Sequence, residues 1–536
     1  MLTKTAVSRL LSAKQAAVVP LALYFLLCSL AFKSFQYIAY KDEVNFISMG
    51  ERFARGDFLN APNAYWGSLL PFVIAAVMKL GVASITAAKI ANIFNGALAF
   101  LGLRALSSRF VMHEPVRLLV LLTSVPMLVY YAYFAINPDL LLTAILLFYF
   151  SVVFDPAYPG RRAGWICGLL GAAAYLDKGF GFPFFLIHFS LITIAHFVVN
   201  TSKARRQVLW RYAAGLLMFG CVALAWGYML NRKYHDPAVW LGISGPYNHA
   251  TRGPDFYDMT AAPVTKSGFV APWPGDVSIW QEPYYFLKQV EPWSPFASPR
   301  ALKHQVKLTR TSAMSIVRIY GSFTALWAAI VLGSLLLIRG APRKDSEQFS
   351  LAAALATMGL YTAFYMALHS EEHYFWPMSL LILVMGGALL DVVLRSPLAS
   401  GALRRTLAVV AFAVSFVLHP IDQLQIRAND GSGLARISER LRADGVGGRI
   451  ASNFDYGSSV VVAYQIGATY YGHPKPGMTE SETISELKRH QIHYYLAWFN
   501  QSPVPHSVVQ RVKSFEEDGR QLTLYAVRTD LNSLGK

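Results

Sequence analysis

Two adjacent acids, Asp42 and Glu43, stand in the stretch AYKDEVNF, a few residues after an apolar run, 16–34, that is long enough to cross a bilayer. Charges so close to a membrane are costly unless they face water or do chemistry. Comparable groups stand at the edges of later apolar runs: Asp139 after Asn137 and Pro138, Asp177 beside Lys178, and Glu371, Glu372 and His373 within HSEEHYFWP. Acids, a lysine and histidines gathered in one cavity at a membrane surface would suit group transfer from a lipid-held donor to a hydroxyl. One carboxylate would take the hydroxyl's proton and a cation would hold the departing phosphate. A divalent metal (Mg, Mn or Zn) held by Glu371, Glu372 and His373 is a second source of positive charge. His369 and His373, at i and i+4, would present both rings on one face if that stretch were helical.

Each group also has a structural alternative, which the sequence leaves open. Asp139 follows a proline at a helix start, where acids cap the free N–H groups. Asp177 with Lys178 could be a local surface pair, and residues 371–373 a solvated turn. Asp42 and Glu43 are the least readily explained in these terms.

The elements that must bring these residues together are membrane helices. Only 15% of the 536 residues are charged, against about a quarter in a soluble protein. Apolar runs fall near 16–34, 67–83, 86–106, 116–135, 139–154, 163–177, 182–200, 211–230, 313–338, 348–368, 375–395 and 404–420. The net charge of +17 belongs to cytoplasmic loops. No nucleic-acid-binding motif accompanies it, and no nucleic-acid partner is expected. If 67–83 crossed the membrane, Arg104, Arg109, Arg117, Arg161, Arg162, Lys203, Arg205, Arg206, Arg343, Lys344, Arg404 and Arg405 would all lie outside. If it lies along the outer face, all become cytoplasmic. The short run, with Pro71 and Lys79, suits the second arrangement. The expected fold is therefore a polytopic α-helical membrane protein of about eleven spans, with the N-terminus cytoplasmic. The chemistry-bearing residues then share the outer face.

The basic start (Lys4, Arg9, Lys14) resembles a signal peptide, but the run that follows is longer than a signal core and lacks a small-x-small cleavage site; it reads as a retained span. The cysteines, Cys28, Cys167 and Cys221, sit inside apolar runs and make neither a disulfide framework nor a zinc spacing. Two outer loops are expected, 35–85 and 231–312. The second is rich in Trp, Tyr and Pro and is expected to form an ordered lid. The transmembrane domain is assigned to 1–420. Residues 421–536 carry Gly-rich turns, an amphipathic helix at 479–490 and the strand-like runs HYYLAWF and RQLTLYAV, the pattern of a small extracytoplasmic α/β domain.

The order of these motifs resembles a known family. An outer Asp-Glu, then GERFARGDF, YWGSLLPFV, NPDLLLT, LDKGFG and a late HYFWP are similar to the C-type (GT-C) integral membrane glycosyltransferases. The branch most resembled includes bacterial protein mannosyltransferases and the aminoarabinose transferase of lipid A. The resemblance covers about residues 16–395. It implies transfer of a sugar from a polyprenyl-phosphate donor, on the extracytoplasmic side of the inner membrane, to a hydroxyl of a cell-envelope glycan, lipid A or a protein. It implies that Asp42 is catalytic, with Glu43 beside it, that Asp139 helps bind acceptor or metal, and that Lys178 holds the lipid phosphate. Asp177, Tyr65, Trp66 and Tyr374, which lie in or beside the same motifs, are expected to bind substrate. The chain departs from many relatives at Asn137 and His373, where arginine is common. That departure makes the Glu371–Glu372–His373 metal site more plausible. Inversion at the anomeric carbon and a monomeric enzyme are expected. The competing reading is a transporter or flippase, which predicts ionisable groups near mid-span and broken helices in both halves.

Overall fold

The structure, a computed structural model, describes residues 15–155, 162–200, 202–254, 268–287, 292–339, 345–499 and 507–528. Lys4, Arg9, Lys14, Arg161, Arg343 and Lys344, and the loop stretches 255–267 and 288–291, lie outside the described residues. The chain forms a helical bundle followed by a small sheet unit. Its helices are α1 Gln15–Ala31, α2 Lys41–Ala54, α3 Leu69–Met78, α4 Ser84–Ser107, α5 Glu114–Phe134, α6 Asp139–Val153, α7 Ala163–Asp177, α8 Gly181–Val199, α9 Ser202–Tyr234 and α10 Ser244–Ala250. They continue with α11 Pro299–Phe323, α12 Trp327–Arg339, α13 Asp345–Met366, α14 Trp376–Arg395 and α15 Ala402–Arg427.

Among the described residues eight helices are long and apolar enough to cross a membrane. The bent pair α11 and α12 would make a ninth, and α3, α6 and α7 are shorter apolar helices, a count roughly consistent with the eleven expected. Nearly every residue of α6 is buried, so it forms the centre of the bundle, packed most extensively on α4. Its start places Asp139 at one end of the bundle. The other end carries ion pairs of Arg109 with Asp155 and of Arg395 and His113 with Asp391. Helices α7 and α9 approach closely because glycines line the contact. A Cβ on Gly168 would stand 2.3 Å from the Gly215 carbonyl oxygen, the small-residue packing common between membrane helices.

Helix α3 covers only ten residues, about 15 Å at 1.5 Å per residue. That is half the hydrocarbon thickness of about 30 Å, and α3 lies between α2 and α4. One expectation needs correction. The run 313–338, read as a single span, is broken: α11 and α12 meet at 92°. Thr324 leaves the helix with extended backbone (φ −163°, ψ 134°), and its hydroxyl donates to Ser415 Oγ at 2.9 Å. Hydropathy registers the apolar residues on both sides of this break but not a backbone turn held by a contact to α15.

Past α15 comes the α/β unit: α16 Ser432–Ala443, β1 Arg449–Ser452, α17 Tyr456–Ile466, β2 Thr469–Tyr470, α18 Glu480–Arg489, β3 Tyr494–Trp498, β4 Val509–Glu517 and β5 Arg520–Val527. The strand order is β2-β1-β3-β5-β4, parallel among the first three and antiparallel in the last two pairings. Helix α18 starts with a capping box between Thr479 and Glu482. The expected helix and both expected strands are present. Edge strand β2 is covered by the long loop: Tyr470 N–H donates to Val277 O at 2.7 Å, and Val270 N–H to Tyr471 O at 2.8 Å. Tyr464 of α17 donates to Glu51 of α2 at 2.7 Å. The sheet unit therefore braces both segments that flank Asp42.

Candidate active site

Asp42 and Glu43 open α2, and their side chains diverge because one residue is about 100° of helix rotation. Asp42 is half exposed. Its Oδ1 accepts the indole N–H of Trp280 at 2.6 Å, with the Lys41 ammonium 3.5 Å away. Glu43 is buried. Its Oε2 accepts the N–H groups of Ala39 (2.8 Å) and Tyr40 (3.1 Å), closing the cap of α2. Its Oε1 accepts the Ile136 N–H at 3.0 Å and the Lys89 ammonium at 3.4 Å. Glu43 thus ties the helix that carries Asp42 to the turn that carries Asp139. Breaking such a buried pair costs about 3 kcal/mol or more. Glu43→Gln is expected to lower the thermal midpoint, and Lys89→Met added to it is expected to cost less than the sum of the two; additive losses would show that the pair is not coupled.

Asp139 is buried at the first position of α6, its own N–H donating to Asn137 Oδ1 at 3.1 Å. Its carboxylate accepts the Lys178 ammonium at 2.6 Å and lies 3.7 Å from His373 Nε2. Lys178 leaves α7 in extended conformation, and its ammonium stands 3.7 Å from the centre of the Tyr374 ring. The first outer loop reaches this point through Gly67, where a Cβ would come 1.7 Å from Asp177 O; any side chain would push the loop away. Asn63 shapes the same loop by accepting the N–H groups of Tyr65 and Trp66 and donating to Gln281 O at 2.7 Å.

The two halves meet across aromatic rings. Tyr65 packs edge-on against Trp66 and Tyr247, with centroids 4.7 and 4.9 Å away, and at a tilt against Trp280 at 5.9 Å. Burial pushes the Tyr65 hydroxyl up; the carboxylates of Asp42 and Glu371 add to this, while Arg252 and a hydrogen bond with Asn248 oppose it. Tyr374 in turn interacts electrostatically with Glu371, Asp139 and Tyr65. Glu371 accepts from His369 Nε2 at 2.9 Å and lies 3.6 Å from His373. Burial raises its pKa, but the His369 hydrogen bond and the charges of His373, His369 and Lys178 outweigh burial and hold it down at about 2.

Asp42, Tyr65, Trp66, Asp139, Lys178, Glu371, His373 and Tyr374 therefore border one region. Three other residues face elsewhere. Glu43 is engaged as described. Asp177 is completely buried against the backbone of Leu70 and Leu142. Glu372 accepts from Tyr130 at 2.9 Å and faces His419 at 3.1 Å. The metal expectation meets this geometry badly: Glu371 and Glu372 point apart, and residues 369–371 are not helical, so His369 and His373 bracket Glu371 instead of sharing a face. Among the described residues no three His, Cys, Asp or Glu side chains are arranged to hold a metal ion.

The sequence matches no protein-family model and no curated protein. Solved structures match over nearly the whole chain. ArnT from Cupriavidus metallidurans in the apo state aligns with TM-score 0.60 at 14% identity, covering 97% of this chain and 99% of that one. The same protein bound to undecaprenyl phosphate gives 0.59 at 13% identity, covering 96% and 98%. The archaeal oligosaccharyltransferase AglB from Archaeoglobus fulgidus, in complex with an inhibitory peptide and a dolichol-phosphate, gives 0.54 at 11% identity, covering 97% and 75%. The chain has the GT-C glycosyltransferase fold.

Within this GT-C fold the residue that sequence reasoning missed is Trp280. It sits in the loop run APWPGDVSIWQEPYYF, whose aromatics read equally well as a membrane-interface belt. The segment around it is clamped by ion pairs of Asp276 with Arg52 and Glu282 with Lys233, and Tyr234 donates to Glu282 at 2.6 Å. A hydrogen bond to a charged group contributes roughly 1.5–3 kcal/mol. Should Asp42 act as a catalytic base, Trp280→Phe is expected to lower kcat about tenfold or more while leaving KM nearly unchanged. An unaltered kcat would remove Trp280 as a positioning residue for Asp42.

Proposed function

We propose that the protein is a glycosyltransferase that moves a sugar from a polyprenyl-phosphate donor to an acceptor hydroxyl, with inversion. The observation that carries this reading is the ammonium of Lys178, held at 2.6 Å by buried Asp139 and placed over Tyr374, across an aromatic wall from half-exposed Asp42. Lysine has three N–H donors. One is given to Asp139 and one faces the Tyr374 ring, leaving a third for a phosphate oxygen. Asp42, on a different element, takes the proton of the acceptor hydroxyl as its oxygen attacks the anomeric carbon. The C–O bond to the lipid phosphate breaks on the opposite face, through an oxocarbenium-like transition state. The leaving group is a phosphate monoester with a second pKa of about 6, so it departs at neutral pH without a general acid. The fold supports the choice of donor, since ArnT and AglB have been solved with undecaprenyl phosphate and a dolichol-phosphate. No step is routed through a metal, because the acids proposed for one diverge.

The reaction is assigned to the extracytoplasmic face of the inner membrane. The arginines at 104–117 and 395–405 lie at the end of the bundle away from Asp139, as the positive-inside rule requires of cytoplasmic loops. The acceptor classes remain a cell-envelope glycan, lipid A or a protein, and the enzyme is taken to act as a monomer.

The test is to incubate purified protein with a panel of polyprenyl-phosphate sugars and candidate acceptors. Release of polyprenyl phosphate and a glycoside of inverted anomeric configuration are expected. No release from any donor, together with passage of a lipid-linked or polar substrate across proteoliposomes, would replace this reading by transport.

A further inference from the structure

Helix α11 turns away from α12 by 92°, whereas a spanning helix would run on through the bilayer. Its bonds gather at one end of α13. Gln305 donates to Ala367 O at 3.0 Å, and Tyr320 bonds Thr362 at 2.7 Å. Fifteen residues of α11 thus lie against residues 362–370, at and just past the site-facing end of α13. Ser312 and Ser370 reinforce the placement through bonds to Leu368 O and Ser312 O.

The helix has three faces. Ala301, Leu308, Ser312, Ile316, Ile319 and Phe323 are buried against the bundle. At about 100° per residue, the exposed apolar residues Leu302, Val306, Val317 and Met314 occupy an adjoining arc of about 120°. Arg310 and Lys303 are exposed within the far part of that arc, and Lys307 and Arg318 are exposed just beyond it. Residues 299–323 contain no acid. Among the described residues, none of these four cations has an acidic partner. Within the bundle several other basic groups, Arg52, Lys89, Arg109, Arg117, Lys178, Lys233 and Arg395, are each paired with an acid.

We infer that α11 lies in the membrane interface on the site side, with Leu302, Val306 and Val317 in the acyl region and Lys303, Lys307, Arg310 and Arg318 binding the headgroups of anionic phospholipid. A basic amphipathic helix beside a hydrophobic bundle has this preferred location. Four unpaired cations in a row beside a bilayer complement anionic headgroups. The bonds of Gln305, Ser312 and Ser370 connect this surface to the segment 367–371 that ends at Glu371, and the Nε2–H of His304 donates to Arg252 O at 2.7 Å. Lipid binding does not depend on the transferase reading and is measured without sugar or acceptor.

The experiment titrates phosphatidylglycerol and phosphatidylcholine separately into the full-length detergent-solubilised protein and counts bound lipid by native mass spectrometry. The wild type should prefer phosphatidylglycerol. Lys303→Gln with Lys307→Gln and Arg310→Gln should weaken that preference about tenfold to a hundredfold. The single variants Lys303→Gln and Lys307→Gln, which leave folding less exposed to risk, should fall between. A control that removes three charges from the sheet unit, Lys475→Gln with Lys488→Gln and Arg511→Gln, should keep the wild-type preference. Undiminished preference in the α11 triple variant overturns the inference. So does an equal loss in the control, which would make net charge the cause. Full competition by millimolar inorganic phosphate also overturns it, because the helix would then hold a phosphate and not a lipid surface.

Discussion

Asp42→Asn is expected to bind the polyprenyl-phosphate donor and fail to transfer its sugar. The substitution keeps the shape of the side chain and an oxygen that can accept the Trp280 N–H, which the wild-type carboxylate holds at 2.6 Å. It removes the negative charge that faces Lys41 and, with it, the ability to take a proton. General-base catalysis contributes roughly 10²–10⁴ in rate, and a loss of that size should appear in kcat with donor Kd within a few-fold of wild type. Steady-state release of polyprenyl phosphate and equilibrium donor binding measure the two quantities separately. Glu43→Gln provides the contrast. Its carboxylate is consumed by Ala39, Tyr40, Ile136 and Lys89, so its loss should be read first as a lower thermal midpoint. Wild-type turnover by Asp42→Asn would remove the base assignment, and equal behaviour of the two variants would show that the exposed acid has no special role.

Lys178→Met has the second largest expected effect, and it acts in two ways. Asp139 is buried and would lose the ammonium 2.6 Å away. Removing one partner of a buried pair destabilises by about 3–5 kcal/mol. The departing phosphate would also lose the cation that stabilises it, and comparable losses of transition-state charge stabilisation cost roughly 10²–10³ in kcat. The double variant Lys178→Met with Asp139→Asn separates the two. It removes the stranded charge, so the thermal midpoint should recover most of the loss, while kcat should stay low. If turnover recovers along with stability, Lys178 serves only to neutralise Asp139 and the phosphate-holding role falls.

How much of this was readable in advance depends on the range of the interaction involved. Hydropathy and the sidedness of arginine and lysine are local properties that add along the chain. They are enough to determine a multi-pass helical bundle, to set α3 aside as too short to cross, to place Asp42, Asp139, Lys178 and His373 at one end, and to mark a sheet unit after residue 420. The capping box at Thr479 and Glu482 is equally local. Other choices depended on packing between segments far apart in sequence. Asp42 and Glu43 are chemically alike and adjacent; which of them stays open follows from Trp280, 238 residues away, and from the Ile136 N–H, 93 residues away. Glu371 and Glu372 are separated in the same manner, one by two histidines and the other by Tyr130 and His419. The break at Thr324 needs Ser415 to hold it. In each case the residue types permit either outcome. A difference of a few kcal/mol in burial and hydrogen bonding then selects one, and those terms exist only once the helices have met.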